Sequence, residues 1–327
     1  MDEFNFIKSI QQKNYIQPSL IKGIGDDAAV FRQSYQDTVM AVDTFVENIH
    51  FSRKTMLPFH VGYRVLAANI SDMAAMGSTP AYYLISIVIP KDWSDSELND
   101  IYRGMREIAK QYRMDLIGGD TVSGNELVIS VTIVGFTSQG QSRYRTNAKN
   151  NDIVFVTGTL GDAAAGFHLL TNESESMEHL GNSFNYFIDR HRMPSPRVSF
   201  AQALSPLSRV SLNDISDGIG NEAAEIAVAS KVTLHINYEK IPCHPDLNCF
   251  SEEQQKRWKL FGGEDFELIG TVSKQEWPAV VDAAHKTNTM VTEIGYVDDN
   301  ERLNGSVMLR ENNNEMKLEK LGYTHLK

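Results

Sequence analysis

The stretch Gly23-Ile24-Gly25-Asp26-Asp27-Ala28-Ala29-Val30 decides how the first half of this chain is read. Its glycines follow the G-x-G-x-x-A spacing of a dinucleotide-binding loop, but its carboxylates do not suit one. Such a loop offers bare backbone N–H groups and a helix N-terminus to a pyrophosphate. Asp26 and Asp27 stand where that anion would sit. Two like charges about 4 Å apart repel by about 4 kcal/mol at an effective dielectric of about 20. A phosphate could approach only with cations in between. The stretch therefore reads as a turn presenting oxygen ligands to a hard divalent metal, followed by a strand rather than a helix.

Working outward, acids recur at similar positions. Residues 38–42 predict a strand that delivers Asp43 at its end, and residues 115–117 a short strand ending in Gly118-Gly119-Asp120-Thr121. Asp214 and Asp217 bracket a strand-to-helix turn, and Glu264 and Asp265 follow Gly262-Gly263. Asp72 falls late in a helix predicted over 59–76, on the side of Val65 and Ala68; an anion there opposes the helix dipole unless a cation lies near. No His or Cys accompanies these glycine-flanked acids, which favours a hard, oxygen-liganded cation over zinc or iron. His50, in a polar turn after Glu47, lies close in sequence to the proposed ligands, and Arg143 and Arg145 are cationic partners for phosphate oxygens. Neither a P-loop nor a G-x-S-x-G elbow is present.

Residues 82–89 and 126–136 read as strands, and Ser94 with Glu97 forms a capping box for a helix running to about residue 113. A short helix is expected over 4–12. The polar segment 137–151 marks a boundary, giving domains 1–140 and 148–327. In the second half, strands are expected at 153–157, 210–215, 232–236, 267–272 and 290–297, with helices starting near Gly161-Asp162 and at Arg197, another ending near Ser230 and one between the last two strands. Residues 171–182 read as a polar, mobile loop and 241–256 as irregular. Mixed strands and helices in both halves give an α/β or α+β fold.

The 327 residues suffice for about two domains. A net charge of −11 without a Lys/Arg block disfavours nucleic acid and anionic membranes, but not nucleotides, because metal ions invert the local sign. No apolar run approaches the ~18 residues of a membrane span, and Met1-Asp2-Glu3-Phe4 lacks a signal-peptide layout. A cytoplasmic location is expected, with Cys243 and Cys249 as reduced thiols.

Together the motifs resemble the thiamine-monophosphate kinase family, of the superfamily that includes aminoimidazole ribonucleotide synthetase and selenophosphate synthetase. The matching stretches are Gly23-Ile-Gly-Asp-Asp-Ala28, Val42-Asp-Thr-Phe-Val-Glu-Asn-Ile-His-Phe51, Ala68-Asn-Ile-Ser-Asp-Met-Ala-Ala-Met-Gly77, Leu116-Ile-Gly-Gly-Asp-Thr121 and Arg145-Thr-Asn-Ala-Lys149. They continue in order through Val156-Thr-Gly-Thr-Leu-Gly-Asp162, Asp214-Ile-Ser-Asp-Gly218 and Gly262-Gly-Glu-Asp-Phe-Glu-Leu268. The resemblance implies a two-domain fold: an N-terminal mixed sheet with helices that pairs in a homodimer, and a C-terminal α/β sandwich, with ATP in a cleft between the N-terminal domains and the second domain. It implies ATP- and magnesium-dependent phosphorylation of thiamine monophosphate to thiamine diphosphate.

Carried over by motif, Asp27, Asp43, Asp72, Asp120, Asp214 and Asp217 would hold several magnesium ions, with Asp120 and Asp43 as the catalytic pair. Tyr102, Gly119, Asp120, Arg145 and Ser216 would contact ATP; His50, Glu264 and Tyr323 would contact the thiamine phosphate. Two departures stand out: Ala41 and Val42 replace the hydroxyl residues that many members carry before the Asp43 position, and the tail reads Lys320-Leu-Gly-Tyr323. The acceptor is already anionic, so the expected chemistry is direct in-line transfer by positioning and charge neutralisation, without a phosphoenzyme. Other enzymes of the superfamily are the nearest alternatives. A selenophosphate synthetase would want a reactive residue near the N-terminus and a hydrogenase-maturation dehydratase a C-terminal Cys; this chain has neither. A purine cyclo-ligase remains on fold alone; a dinucleotide-binding oxidoreductase and a non-enzymatic metal-binding dimer are more distant.

Overall fold

A computed structural model describes residues 10, 12, 14–22, 30–31, 35–172, 182–299, 303–319 and 321–322. The chain divides into two compact units, Met1–Met73 with Ser78–Gly140, and Ala74–Gly77 with Gln141–Lys327.

In the first unit, β1 (Leu20–Lys22) pairs antiparallel with β2 (Val30–Phe31). A strand thus begins at Val30, as the sequence predicts; residues 23–29 between the two lie outside the described residues, as does most of the helix expected over 4–12. Asp115 anchors the segment before β1. Its buried carboxylate accepts the Ile16 and Gln17 N–H groups at 2.7–2.9 Å.

A four-stranded sheet follows: β3 (Gln36–Val46), β6 (Val128–Ser138), β4 (Thr79–Ile89) and β5 (Asp115–Ser123), in that spatial order, with only β4 and β5 parallel. Strict alternation in β3 exposes Thr38, Met40, Val42 and Thr44 and turns Val39, Ala41, Asp43 and Phe45 inward. The inward rows of β4 and β6 (Tyr83, Ile85, Ile87; Ile133, Val131, Ile129) are buried. Helices α1 (Pro58–Ala75) and α2 (Asp95–Gln111) touch backbone to backbone, because a Cβ on Gly62 would stand 1.8 Å from the Ile101 carbonyl oxygen and one on Gly104 1.9 Å from that of Phe59. Ser94 and Glu97 form both halves of the expected capping box.

Two readings change here. Asp43 lies inside β3, not at its end, and Gly118-Gly119-Asp120 continues β5 instead of turning out of it. The glycine pair reads as a turn by composition, yet its use is close approach: a Cβ on Gly119 would meet the Ile85 carbonyl oxygen of β4 at 2.0 Å. Pro80 likewise sits within β4, beside a register shift against β6, where a missing N–H is tolerated.

Among the described residues, the second unit has seven strands: β7 (Ile153–Thr157), β8 (Val210–Asp214), β9 (Thr233–Asn237), β10 (Leu268–Val272), β11 (Val291–Asp298), β12 (Val307–Glu311) and β13 (Asn314–Lys317). Their spatial order is β13-β12-β9-β11-β7-β10-β8, antiparallel except for β12 on β9. Every residue of β7, β8 and β10 is buried, so these strands read as unbroken runs without alternation. The helices are α3 (Asp162–Thr171), α4 (Asn182–Arg192), α5 (Val198–Ala203), α6 (Ile219–Ser230), α7 (Glu252–Phe261) and α8 (Trp277–Lys286). Helix α7 occupies the end of a stretch read as irregular, and α4 and the β12–β13 hairpin are additional. Residues 173–181, most of the loop expected to be mobile, lie outside the described residues.

Candidate functional site

In the first unit, β3 and β5 are the two edges of the sheet and carry Asp43 and Asp120. The register places Asp43, Val131, Ile85 and Gly119 in one row, and Thr44, Ser130, Ser86 and Asp120 in the next. Paired residues share a face and successive residues alternate, so the two carboxylates leave opposite faces, on strands about 14 Å apart (three spacings of ~4.8 Å). Asp43 is half-buried, and burial pushes its carboxyl above the usual range. Asp120 is exposed and its Oδ1 accepts the Thr121 N–H at 3.0 Å. Asp72 is half-buried in the last turn of α1. Asp27 lies outside the described residues, and among those described no three His, Cys, Asp or Glu side chains group as a metal site.

The turn after β3 holds His50 in one tautomer. Its Nδ1 accepts the Val46 N–H at 3.0 Å, and its ring meets Phe45 edge-on at 5.7 Å. An imidazole that accepts at Nδ1 is neutral and carries its proton on Nε2, where it can donate to an anionic oxygen. Buried Glu47 steadies the same turn by accepting from Trp93 Nε1 at 2.9 Å, while the Arg53 guanidinium stacks over the Trp93 ring at 4.0 Å and pairs with Glu97. Tyr102 is 3% exposed on the core side of α2, and burial and neighbouring Tyr83 raise its hydroxyl pKa far above the ordinary value.

In the second unit, the end of β8 and the strand-to-helix turn after it bring together Asn213, Asp214, Ser216 and Asp217, and α6 places Glu222 beneath them. Glu222 accepts from Asn213 Nδ2, from Ser216 Oγ at 3.3 Å and from the Asp217 N–H at 3.3 Å. Burial, with Asp214 and Asp217 nearby, pushes its carboxyl up to about 7. Exposed Arg145 reaches this group: its Nε donates to Asn213 Oδ1 at 2.9 Å, and its Nη1 stands 3.8 Å from Glu225. Arg143, expected beside phosphate oxygens, is instead buried, donating from Nη2 to the carbonyls of Leu204 at 2.7 Å and Leu207 at 3.2 Å. Sequence spacing cannot separate two arginines one residue apart; burial does.

The Gly262–Leu268 loop packs on the same turn. The Glu264 N–H donates to the Ser216 carbonyl at 2.7 Å and the Phe266 N–H to that of Ile215 at 3.0 Å. A Cβ on Gly263 would stand 2.6 Å from the Ser216 oxygen, which explains the glycine. Glu264 is half-buried, whereas Asp265, read from sequence with the candidate acids, is buried away from it as a helix cap. Tyr323 lies outside the described residues; the tail is described to Gly322, whose N–H donates to Asn221 Oδ1 at 3.2 Å. Sequence reasoning missed Asn213 and Glu222. Their signal was weak: a polar pair in and after a strand that otherwise reads as core.

Comparison with known proteins agrees with the two-part fold. Residues 25–137 match the model of the AIR synthase related protein N-terminal domain and residues 149–308 that of its C-terminal domain. The thiamine-monophosphate kinase of Bacillus subtilis (strain 168) is 45% identical over the full length of both chains. Among solved structures, thiamine-monophosphate kinase from Stenotrophomonas maltophilia K279a superposes with a TM-score of 0.84 at 29% identity, covering 94% of this chain and 96% of that one. A structure described as "AaThiL complexed with AMPPCP and TMP" gives 0.74 at 31% identity, covering 90% and 92%. With both domain models matched in order and a full-length relative this similar, the chain belongs to the AIR synthase related family, within its thiamine-monophosphate kinases.

Proposed function

We infer that the chain transfers a phosphoryl group from ATP to thiamine monophosphate, giving thiamine diphosphate. The observation that carries this reading is the full-length 45% identity to a kinase of that name, joined to the likeness to a structure holding AMPPCP and TMP. Incubating the purified chain with ATP, magnesium and thiamine monophosphate should yield thiamine diphosphate and ADP in equal amounts. Absence of that product with the folded chain would overturn the reading.

The acceptor is a phosphate monoester, largely anionic at neutral pH, so the difficulty is bringing two anions together rather than removing a proton. His50 Nε2 supplies a neutral donor for an acceptor oxygen, and half-buried Glu264 faces the cationic thiamine portion. Arg145, already held by Asn213, supplies charge for the ATP phosphates, with Ser216 and Gly119 as further nucleotide contacts. Magnesium, when bound, would neutralise phosphate charge. The all-oxygen donors Asp43, Asp72 and Asp120 of the first unit and Asp214 and Asp217 of the second suit it, with Asp27 assigned by motif alone. The opposite faces of Asp43 and Asp120 favour several ions over one shared site. The transfer is in-line and direct, and the protein works in the cytoplasm, in keeping with its free Cys243 and Cys249.

The two arginines of the boundary segment should separate cleanly. Arg145→Ala is expected to raise the KM for ATP about tenfold, the loss of one charged hydrogen-bond partner, with the melting temperature nearly unchanged. Arg143→Ala should lower the melting temperature by several degrees, leaving buried carbonyls unpaired, with little change in KM. Steady-state kinetics and calorimetry on both variants decide it.

A homodimer through the first unit is part of the same reading. The outward face of β3 shows Met40 at 64% and Val42 at 60% exposure, and Val122 on β5 is 46% exposed on the same side. An apolar sheet face of this kind suits a second copy. Met40→Glu with Val42→Glu should shift the sedimentation coefficient from dimer to monomer; an unchanged dimer would remove this surface from the interface.

A further inference from the structure

Two of the sequence motifs, Val156–Asp162 and Gly262–Leu268, interlock in the second unit through residues that the reaction does not use directly. Asp265, buried among protein atoms, accepts the Gly161 N–H at 2.7 Å and the Ala163 N–H at 3.0 Å, capping α3 from 104 residues away. Glu267, equally buried, receives Thr157 Oγ1 at 2.7 Å, Arg197 Nε at 2.6 Å and Arg190 Nη2 at 2.9 Å. Arg190 Nη2 also donates to the Asp265 carbonyl at 3.2 Å, and its Nε lies 3.7 Å from Asp162. The Leu268 N–H donates to Thr157 Oγ1 at 2.8 Å. Gly158 has φ +57°, and a Cβ there would fall 2.1 Å from a Glu267 carboxylate oxygen. The Val156–Asp162 segment is therefore shaped as a socket for the 265–268 segment.

Beside these anchored residues the backbone is forced. Glu264 has φ 71° and Phe266 φ 50°, both in the left-handed region that a side chain disfavours. Such conformations persist only where the surroundings over-determine them. Here the determinants are Asp265 and Glu267, the alternate residues of the loop, fixed by a helix N-terminus and by two guanidinium groups. Glu264 is the one carboxylate of the loop that reaches the surface half-exposed, and its N–H fastens it to Ser216.

We propose that Arg190 and Asp265 are positioning residues for the phosphoryl-transfer reaction, setting through the Gly262–Glu267 loop the place of Glu264 toward the cationic acceptor. This rests on the reading that Glu264 contacts that acceptor. Three carboxyl groups, Asp162, Asp265 and Glu267, face two guanidinium groups, Arg190 and Arg197, so removing one guanidinium leaves the buried cluster strongly acidic. Burial alone would raise Glu267, yet Arg197 and Arg190 outweigh it and hold its carboxyl below the usual range. Burial and Asp162 push Asp265 up to about 7, against Arg190 and the two N–H donors. The Ser216 hydroxyl has a second anchor outside the loop, Glu222, so the nucleotide side should feel the loop less.

The test uses the full chain carrying Arg190→Gln, Arg190→Lys, Glu264→Gln, or Arg190→Gln with Glu264→Gln. For each, KM for thiamine monophosphate, KM for ATP, kcat and melting temperature are measured. The proposal expects Arg190→Gln to raise the acceptor KM about tenfold and the ATP KM less than about threefold, with partial recovery in Arg190→Lys. The double variant should raise the acceptor KM no further than Glu264→Gln alone, although its melting temperature drops. If Arg190→Gln does not fold, Arg190→Lys, which keeps the charge but loses the fork, carries the same readout at smaller size. Lower melting temperature with both KM values and kcat unchanged, while Glu264→Gln raises the acceptor KM, would overturn the positioning role alone. An unchanged acceptor KM in Glu264→Gln would instead overturn the Glu264 contact on which it rests.

Discussion

Asp120→Asn should leave the protein folded and almost without turnover, with kcat at least about a thousandfold lower at saturating magnesium and ATP, or about 4 kcal/mol of barrier. The expectation combines two observations on one residue. Asp120 is exposed near the end of an edge strand, and its carboxylate accepts the N–H of its own neighbour, Thr121. An asparagine there keeps size and one acceptor oxygen, so the strand loses little, and surface changes of this kind cost within about 0.5 kcal/mol. What disappears is a negative charge on a residue assigned to metal and nucleotide. Single-turnover kinetics beside a thermal melt separate the two effects. Near-normal turnover would take Asp120 out of the reaction, and a collapsed melt would make its role structural.

Glu267→Ala should act in the opposite way, on stability first. The carboxylate is fully buried and pairs with Arg190 and Arg197 at 2.9 and 2.5 Å. Its removal leaves two guanidinium groups facing each other and strips Thr157 of an acceptor. Breaking a buried pair from one side costs about 3–5 kcal/mol, because the remaining charge stays in a low-dielectric site. For a unit of this size that is a loss of roughly 6–20 °C in melting temperature. Differential scanning calorimetry at neutral pH reads it directly. A shift of a degree or two would show that water reaches the cluster and that it contributes little.

These cases also show what the sequence disclosed and what it hid. Helix α1, the α2 capping box and the buried strands β7, β8 and β10 were legible, because apolar runs and capping residues act locally. The acids of the candidate site were legible as residue types beside glycines, but not by role. Asp120 and Asp265 each follow a Gly-Gly pair, directly or one residue on. One is exposed on an edge strand and the other is a buried cap, because the first glycine pair lets two strands approach and the second clears the Ser216 carbonyl. Partners about a hundred residues away decide such roles, and local pattern does not contain them. Arg143 and Arg145 differ for the same reason. Helix α7 escaped because its buried residues are Lys259 and Leu260, too few to mark a stripe.

The strand order of the second unit has a bearing on how the protein is made. Among the described residues, β7, β8 and β9 never adjoin one another in the sheet; each pairs only with strands drawn from β10, β11 and β12. While the ribosome is still short of residue 268, none of those three early strands has a ladder partner to receive its N–H and C=O groups. The first unit, whose sheet is complete at Ser138, has no such wait. The emerging polypeptide therefore carries one finished half and one that stays open until its final sixty residues arrive, and long-range pairing of that kind makes for slow, chaperone-exposed maturation.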